Sequence, residues 1–175
     1  LVEPLSMDEA FLDVTGARRL LGPPSTIAAL VRARVREETG LVVSVGGAST
    51  KHLAKLASQD AKPDGYLILE PDEELRFLRP LPVTRLWGVG PATLRKLEHL
   101  GITSVADLAK SPAGALEGTV GPKRAEHLRS LADNSDPREV ESERPTKSIG
   151  HEETFPRDLR SRDDLHTEVL RLSEL

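Results

Sequence analysis

The sequence Leu86-Trp87-Gly88-Val89-Gly90-Pro91 predicts a tight turn that leads directly into a helix. Glycine accepts positive φ and lets another backbone approach closely, and proline fits the first helical turn, where its missing N–H costs nothing. The helix is predicted over residues 92–100 and is closed by Gly101. The N–H groups at such a helix start point outward, so the turn is a candidate anion site.

A similar pattern recurs downstream, where Gly118-Thr119-Val120-Gly121-Pro122 leads into a predicted helix over residues 123–131. Basic side chains follow each turn, Arg95 and Lys96 after the first and Lys123 after the second. One Gly-x-Gly turn before a helix is typical of an ordinary loop. Two copies, each followed by a basic helix, indicate a tandem helix-hairpin-helix module, which holds the DNA backbone without reading sequence.

The distribution of charge agrees with a phosphate-binding surface, although the total does not. The 175-residue chain has 24 Lys and Arg against 28 Asp and Glu, a net charge of −4. Residues 79–130, however, carry eight basic and four acidic side chains, whereas residues 131–175 carry seven and twelve. Binding to phosphates depends on local positive charge, so the acidic total does not exclude nucleic acid.

Composition excludes several other classes of protein. The chain has no cysteine, which rules out a disulfide scaffold, a thiolate zinc site and a cysteine nucleophile. Its aromatic residues number only five, too few for a stacking platform that binds single-stranded nucleic acid. No apolar run approaches membrane-spanning length and no signal peptide opens the chain, so we expect a cytoplasmic protein with no membrane association.

Hydrophobic patterning divides the chain into four regions. Residues 1–70, here called the α/β layer, alternate predicted strands and helices, and residues 71–136, the helical segment, contain short helices only. Residues 137–147 are predicted as a linker, and residues 148–175 as the beginning of another domain. The α/β layer is expected to contain two short strands around a bend (2–14), a helix ending at Gly40 with Ile27, Leu30, Val31 and Val35 facing inward, a buried strand (41–48), a helix (50–60), a turn (62–65) and a strand (66–69). Strand-like residues at the start and helical spacing at the end indicate a fragment of a longer protein.

Two adjacent acids, Asp8 and Glu9, lie within the first apolar stretch. Neighbouring strand residues face opposite sides, so both carboxylates reach one point only if the backbone bends there. A solvated bend explains such a pair without any function. Carboxylates among apolar residues otherwise need a cation, and Mg²⁺ is the natural candidate.

Three lysines, Lys51, Lys55 and Lys62, follow along the predicted helix and the turn after it. Surface lysines are usually only solvated, and that interpretation stays open for Lys55. A lysine near a metal-binding strand would instead neutralise a triphosphate.

Taken together, these segments resemble the Y-family of translesion DNA polymerases of the DinB, or DNA polymerase IV, type. The resemblance covers the whole chain in four ordered blocks, with Thr50 where the family usually has Asn and Gly47 where Ile is common. The blocks are SMDEAFLDV (residues 6–14) for the palm; VSVGGA (43–48) with KHLAKLAS (51–58) and KPDG (62–65) for its second block; WGVGP (87–91) for the thumb; and KSIG (147–150) with ETF (153–155) for the little finger.

The resemblance implies an α+β fold: a partial α/β palm layer, a small all-helical thumb with tandem helix-hairpin-helix motifs, and the start of an α/β little-finger domain. It makes Asp8 and Glu9 the catalytic carboxylates that hold two Mg²⁺ ions, and Lys62 the contact to the incoming triphosphate. Asp13 is expected to be structural. The implied DNA contacts are Gly88, Val89, Gly90, Thr93, Lys96, Gly118, Val120, Gly121, Lys123 and Ser148.

The implied activity is that of an error-prone DNA-directed DNA polymerase, a nucleotidyltransferase that acts in damage bypass. Its partners would be primer-template DNA, deoxynucleoside triphosphates and a sliding clamp. The family's first metal-binding aspartate, its aromatic steric gate and its fingers all precede the first block, so we expect this chain alone to be inactive. Two alternatives remain: a non-catalytic helix-hairpin-helix DNA-binding module of a repair protein, and a nuclease or repair scaffold with the same module.

Overall fold

The computed structural model describes residues 1–143 and 150–174. Its contacts group into one compact unit at Leu1–Ser142 and a second that begins at Glu143. The helices and strands of the first unit are β1 (Val2–Pro4), β2 (Ala10–Leu12), α1 (Arg18–Leu21), α2 (Pro24–Thr39), β3 (Val45–Gly47), α3 (Lys51–Asp60), β4 (Tyr66–Ile68), α4 (Glu74–Leu78), α5 (Pro91–His99), α6 (Val105–Lys110), α7 (Ala113–Val120) and α8 (Pro122–Ala132), with 3₁₀ turns at Thr15–Ala17 and Val83–Arg85.

The strands of the α/β layer form two separate pairs. β1 and β2 make an antiparallel hairpin in which Glu3 lies opposite Phe11, and both of these side chains are buried. β3 and β4 pair in parallel, with Val45 opposite Tyr66. Helix α3 connects β3 to β4, as parallel neighbours require. The expected bend between two short strands is therefore confirmed.

Close backbone contact holds α3 on β3. A Cβ atom placed on Gly46 would lie 2.1 Å from the carbonyl oxygen of Ala54 and 2.2 Å from the amide nitrogen of Ser58, so only glycine fits there. A Cβ on Gly47 would lie 2.6 Å from Cδ1 of Ile68 on β4. The Ile68 side chain thus occupies the space beside Gly47 and would have to move for a larger residue.

Two details of the predicted α/β layer were wrong. The strand expected over residues 41–48 is limited to Val45–Gly47, and Leu41 and Val42 are 64% and 50% exposed. β4 has three residues and pairs only with these three, which leaves the preceding residues without a strand partner in the described chain. On α2 the buried residues are Ile27 and Ala28, whereas Leu30 is 42% exposed.

The helical segment packs around leucine and continues into the core of the α/β layer. Fully buried side chains come from α3, α4 and each later helix of the first unit, among them Leu53, Leu78, Leu97, Leu108, Leu116 and Leu128. The mixed helix-and-sheet content expected of an α+β fold is confirmed. The boundaries assigned to palm, thumb and linker remain predictions, because one compact unit contains residues on both sides of position 70.

Residues 133–141, here called the strap, return from α8 to the start of α3. Asn134 donates to buried Glu74 at 2.6 Å and accepts a hydrogen bond from Thr50, the N-cap residue of α3. Further along, the Glu139 carbonyl accepts from Lys51 at 3.0 Å. The first residues of the predicted linker are therefore bound to the α/β layer.

The second unit contains one helix among its described residues, α9 (Arg162–Ser173). Ser161 caps it by accepting a hydrogen bond from the amide of Asp164 at 2.9 Å. The helical spacing of the last residues is thereby confirmed. The strand predicted over residues 148–150, and Ser148 with it, lies outside the described residues except for Gly150.

Candidate active site and nucleic-acid interface

The two adjacent acids lie in the turn between β1 and β2, here called the carboxylate turn (residues 5–9). The amides of Leu5 and Ser6 donate to the carbonyl of Glu9 at 2.8 and 3.2 Å, which closes the turn. Asp8 is exposed at its tip and Glu9 is half-buried. The backbone turns at these two acids, which is the condition under which the sequence lets both carboxylates serve one site.

Hydrogen bonding and nearby cations keep Asp8 ionised. The hydroxyl of Ser6 donates to Oδ1 of Asp8 at 2.7 Å, and this bond lowers the pKa of Asp8 below its usual value. The charges of Lys62 and Lys55 act in the same direction. The structure thus brings Asp8 and two of the three lysines that the sequence singled out into one electrostatic neighbourhood.

The three lysines occupy different environments. Lys51 is buried, and its ammonium binds Oε2 of Glu3 at 2.6 Å. Lys55 binds Oε2 of Glu9 at 2.6 Å, while Lys62 is exposed within the turn that follows α3. Lys51 therefore joins α3 to β1, and Lys55 contacts a member of the carboxylate pair directly.

The first glycine hairpin has the predicted conformation. Gly88 has φ of 94°, the amide of Val89 donates to Leu86 at 3.1 Å, and Pro91 is the first residue of α5. The first intrahelical bond runs from Leu94 to the carbonyl of Gly90 at 2.9 Å. The amides of the two residues before Leu94 therefore point out of the helix start, next to exposed Lys96.

The second glycine pattern has a different geometry. Gly118 lies within α7, which continues to Val120, so the turn that was predicted from Gly118 to Gly121 is a single residue. Gly121 has φ of 87° and is itself the N-cap of α8, where Pro122 is the first residue. Gly118 is helical and does not have a positive φ, and residues 118–120 form the end of α7. Gly121 alone changes the direction of the chain between α7 and α8.

One side-chain hydrogen bond links the first turns of α5 and α8. Nη1 of Arg124 on α8 donates to Oγ1 of Thr93 on α5 at 3.3 Å. Thr93 is only 5% exposed, so this contact lies in the interior of the helical segment. Lys96 on α5 and Lys123 on α8 are exposed.

Known protein families match the segments that contain the carboxylate turn and the first glycine hairpin. The impB/mucB/samB family matches residues 1–59, which include the carboxylate turn, and the IMS family HHH motif matches residues 71–102, which include the first glycine hairpin. Curated relatives include DNA polymerase IV 2 of Mesorhizobium japonicum, 51% identical over 86% of this chain and 36% of the relative, and DNA polymerase IV of Halorhodospira halophila, 45% identical over 94% and 46%. Among solved structures, DinB from Sulfolobus solfataricus aligns with a TM-score of 0.72 and 30% identity over 81% of this chain and 42% of that one.

This chain belongs to the Y-family DNA polymerases of the DinB type. It spans 36% and 46% of the length of the two curated relatives above. A post-insertion binary complex of Dbh DNA polymerase also aligns over 99% of this chain, with a TM-score of 0.75 and 29% identity. The second glycine pattern and the strap lie outside the two matched family segments.

The carboxylate turn fits a divalent metal in its donor atoms. Asp8 is exposed and ionised, and Glu9 uses Oε2 for Lys55, which leaves its second oxygen available. Carboxylate oxygens are the ligands that Mg²⁺ prefers, and the ion commonly takes only one or two of them together with substrate phosphates and water. In the described parts of the chain, no three His, Cys, Asp or Glu side chains cluster as a metal site would require. Asp8 and Glu9 therefore fit as some of the ligands of a metal site, with other ligands such as substrate phosphates and water completing it.

Sequence reasoning missed the surroundings of Trp87. The ammonium of Lys55 lies 5.8 Å from the centre of its ring, and the guanidinium of Arg138 lies 4.5 Å from it. Trp87 immediately precedes Gly88, so α3, the first glycine hairpin and the strap meet at this ring, and Lys55 links it to Glu9 of the carboxylate turn. The four-residue spacing of Lys51 and Lys55 was visible in the sequence, but no pattern there indicated that Arg138 returns to α3.

No helix in the described ranges, 1–143 and 150–174, is both long enough and apolar enough to cross a membrane.

Proposed function

We propose that this chain is the palm-and-thumb part of a translesion DNA polymerase that extends a primer on damaged template DNA by metal-dependent nucleotidyl transfer. The observation that carries the proposal is the carboxylate turn, where the Ser6 hydroxyl and the charges of Lys62 and Lys55 keep Asp8 ionised and Lys55 binds Glu9. A pair of exposed carboxylates without a function would not require two lysines in its neighbourhood. The family named by the comparisons uses this chemistry.

Each part of the site has a distinct task in the proposal. Asp8 and Glu9 supply carboxylate oxygens to two Mg²⁺ ions, and Lys62 neutralises the triphosphate of the incoming deoxynucleotide. A metal held by Asp8 and Glu9 would supply the Lewis acidity that activates a primer 3′-hydroxyl and stabilises a leaving pyrophosphate. The amides at the starts of α5 and α8, with Lys96 and Lys123, hold DNA phosphates. Ser148, which lies outside the described residues, is proposed as a further DNA contact.

The complete protein is proposed to act in the cytoplasm on primer-template DNA, with deoxynucleoside triphosphates as substrates and a sliding clamp as partner. The 175-residue chain by itself is proposed to be inactive, because two metals need more carboxylates than Asp8 and Glu9 supply. Primer extension by the purified chain tests this directly. Measurable nucleotide incorporation would refute the proposed inactivity.

Metal binding by the chain tests the carboxylate assignment separately. We expect Mn²⁺, used as a paramagnetic substitute for Mg²⁺, to bind the wild-type chain weakly and Asp8→Ala not at all. Asp13→Ala is the matched control: Asp13 follows the other end of the same hairpin, where its carboxylate accepts a bond from the Thr15 amide at 2.9 Å. Equal Mn²⁺ binding by wild type and Asp8→Ala would favour the rival function, a DNA-binding module without catalysis.

A further inference from the structure

Lys55 is held between a carboxylate of the proposed metal site and an aromatic ring of the helical segment. Its ammonium binds Oε2 of Glu9 at 2.6 Å and lies 5.8 Å from the centre of the Trp87 ring, within the range of a cation–π contact. The side chain is 23% exposed, so solvent only partly screens these contacts. Lys55 is thus fixed at its charged end by two groups.

The same ring is braced by the strap. Arg138 lies over Trp87 at 4.5 Å and binds both carboxylate oxygens of Asp136, at 2.6 and 2.7 Å. The Asp136 side chain is 3% exposed and accepts a hydrogen bond from the amide of His52 at 3.1 Å. His52 and Lys55 both belong to α3, so the contacts run from the start of α3 through the strap and the ring back to α3.

We propose that Lys55 is a positioning residue for Glu9, and that Trp87 with Arg138 holds Lys55 in place. The inference rests on the proposed function. By occupying Oε2, Lys55 sets the side-chain orientation of Glu9 and leaves one oxygen of that carboxylate for a metal. Since Trp87 adjoins Gly88, the orientation of this carboxylate depends on the position of the first glycine hairpin.

Electrostatics and positioning predict opposite effects when the ammonium is removed, which makes the proposal testable. Without a cation beside Glu9, the attraction of a second cation to the carboxylate turn rises or stays constant. Without the Lys55 bond, Glu9 loses its fixed orientation and the rate of nucleotide transfer falls. Outer-shell partners of metal ligands typically contribute about 10- to 100-fold to affinity or activity.

The test uses the complete polymerase carrying Lys55→Met, which keeps most of the aliphatic stem and removes the charge. We expect kcat for primer extension to fall about tenfold, the KM for Mg²⁺ to stay constant or decrease, and Mn²⁺ affinity to stay constant or increase. Lys55→Arg restores most of kcat because it returns a donor to Glu9. Lys110→Met, at an exposed lysine at the end of α6, is the charge-matched control and leaves all three values unchanged.

The second variant, Arg138→Met, removes the brace without touching Glu9 and is expected to lower kcat about two- to threefold, the size of a cation–π contact at a partly exposed site. An unchanged kcat in Lys55→Met overturns the positioning role, as does a Lys55→Met enzyme whose kcat and Mn²⁺ affinity fall together with its thermal stability. If Asp8→Ala also extends primers normally, the proposed function itself has failed. If Asp8→Ala is inactive and Lys55→Met is normal, only the present inference is wrong.

Discussion

The α/β layer and the helical segment carry their proposed functions in different chemical groups. In the carboxylate turn the functional atoms belong to the side chains of Asp8, which accepts a hydrogen bond from Ser6, and of Glu9, which binds Lys55. At the starts of α5 and α8 the functional atoms are backbone amides, and glycines at 88 and 121 with positive φ shape the backbone there. We therefore expect substitutions of Asp8 or Glu9 to change catalysis without changing stability. Substitutions of Gly88 or Gly121 should change backbone conformation and DNA binding together.

The α/β layer and the helical segment also differ in how they are packed. The α/β layer brings backbone against backbone where α3 crosses Gly46, and it uses buried ion pairs such as Lys51 with Glu3. The helical segment is filled with leucine side chains from successive helices. The position where α3 crosses Gly46 therefore tolerates little added volume.

The largest effect on stability is expected at Gly46. Gly46→Ala places a Cβ atom 2.1 Å from one backbone atom and 2.2 Å from another, so α3 must shift away from β3. We expect the free energy of unfolding to fall by at least about 3 kcal/mol, measured by urea denaturation. Gly16→Ala is the control, because nothing lies within 4 Å of its added Cβ. Equal stability of the two variants would show that the α/β layer is not closely packed at this point.

The next largest effect is a pH dependence of the free energy of unfolding, which arises at His52, where α3 contacts the strap. Burial lowers the pKa of His52 to about 4, against the opposing charge of Asp136. Since the unfolded chain binds a proton near pH 6.5 and the folded chain does not, stability is complete above pH 6.5 and declines as the pH falls towards 4. The difference corresponds to about 3 kcal/mol, measured by urea denaturation at a series of pH values.

His52→Leu provides the control for this pH dependence. Nε2 of His52 has no hydrogen-bond partner in the described chain, so leucine removes the titrating group without breaking a bond at that atom. We expect the variant to keep its stability at pH 7 and to lose most of the decline between pH 6.5 and 4. A decline as steep as in wild type would assign the effect to other groups.

Two glycines of the helical segment should respond to alanine with opposite signs. Gly88→Ala forces a residue with a Cβ to φ of 94° and is expected to cost about 1–2 kcal/mol. Gly118→Ala replaces a glycine inside α7, where nothing obstructs the Cβ, and is expected to stabilise by about 0.5–1 kcal/mol. Denaturation curves of both variants check the difference in geometry between the two patterns.

DNA affinity of the same glycine variants tests whether a phosphate approaches Gly118. Gly114→Ala is the matched control, because Gly114 lies earlier in α7 and is also unobstructed. If a phosphate contacts the backbone at Gly118, Gly118→Ala binds duplex DNA more weakly than Gly114→Ala. Equal affinities would remove Gly118 from the proposed DNA surface.

The smallest expected effects are on the salt dependence of duplex binding. Lys96→Ala and Lys123→Ala each remove one exposed cation next to a helix start, so each should reduce the slope of log affinity against log salt by about 0.9, one phosphate contact. Asp8→Ala should leave the slope unchanged because the carboxylate turn binds no DNA phosphate in this account. Unchanged slopes in both lysine variants would contradict the assignment of these contacts to the helical segment.

The sequence predicted the features that depend on local patterns. Helix α3, the end of α2 at Gly40 and the Gly88 turn follow from periodicity and from the conformational freedom of glycine. The short length of β3 depends on β4, which has only three residues to pair with it, and no local pattern shows this. Gly118 was misassigned because a glycine pair looks the same whether the first member ends a helix or begins a turn.

The candidate site was predictable in its chemistry and only partly in its contacts. Asp8, Glu9 and Lys62 carried a recognisable pattern, and their assignment to one site stays a prediction; the structure shows that the charge of Lys62 acts on Asp8. The bond from Lys55 to Glu9, and the meeting of Trp87 with Arg138, join residues far apart in sequence that lie on different elements. Such contacts depend on how the strap returns to α3, which composition and spacing do not encode.

The most direct test of the central claim measures primer extension and duplex affinity on the same preparations of the complete polymerase, wild type and Asp8→Ala. We expect Asp8→Ala to lose at least about a hundredfold in extension rate, since a lost metal ligand removes several kcal/mol of transition-state stabilisation. Its duplex affinity should stay within about twofold of wild type, because binding depends on the helix starts and their lysines. Extension at the wild-type rate by Asp8→Ala, or a parallel loss of extension and binding, would contradict the account.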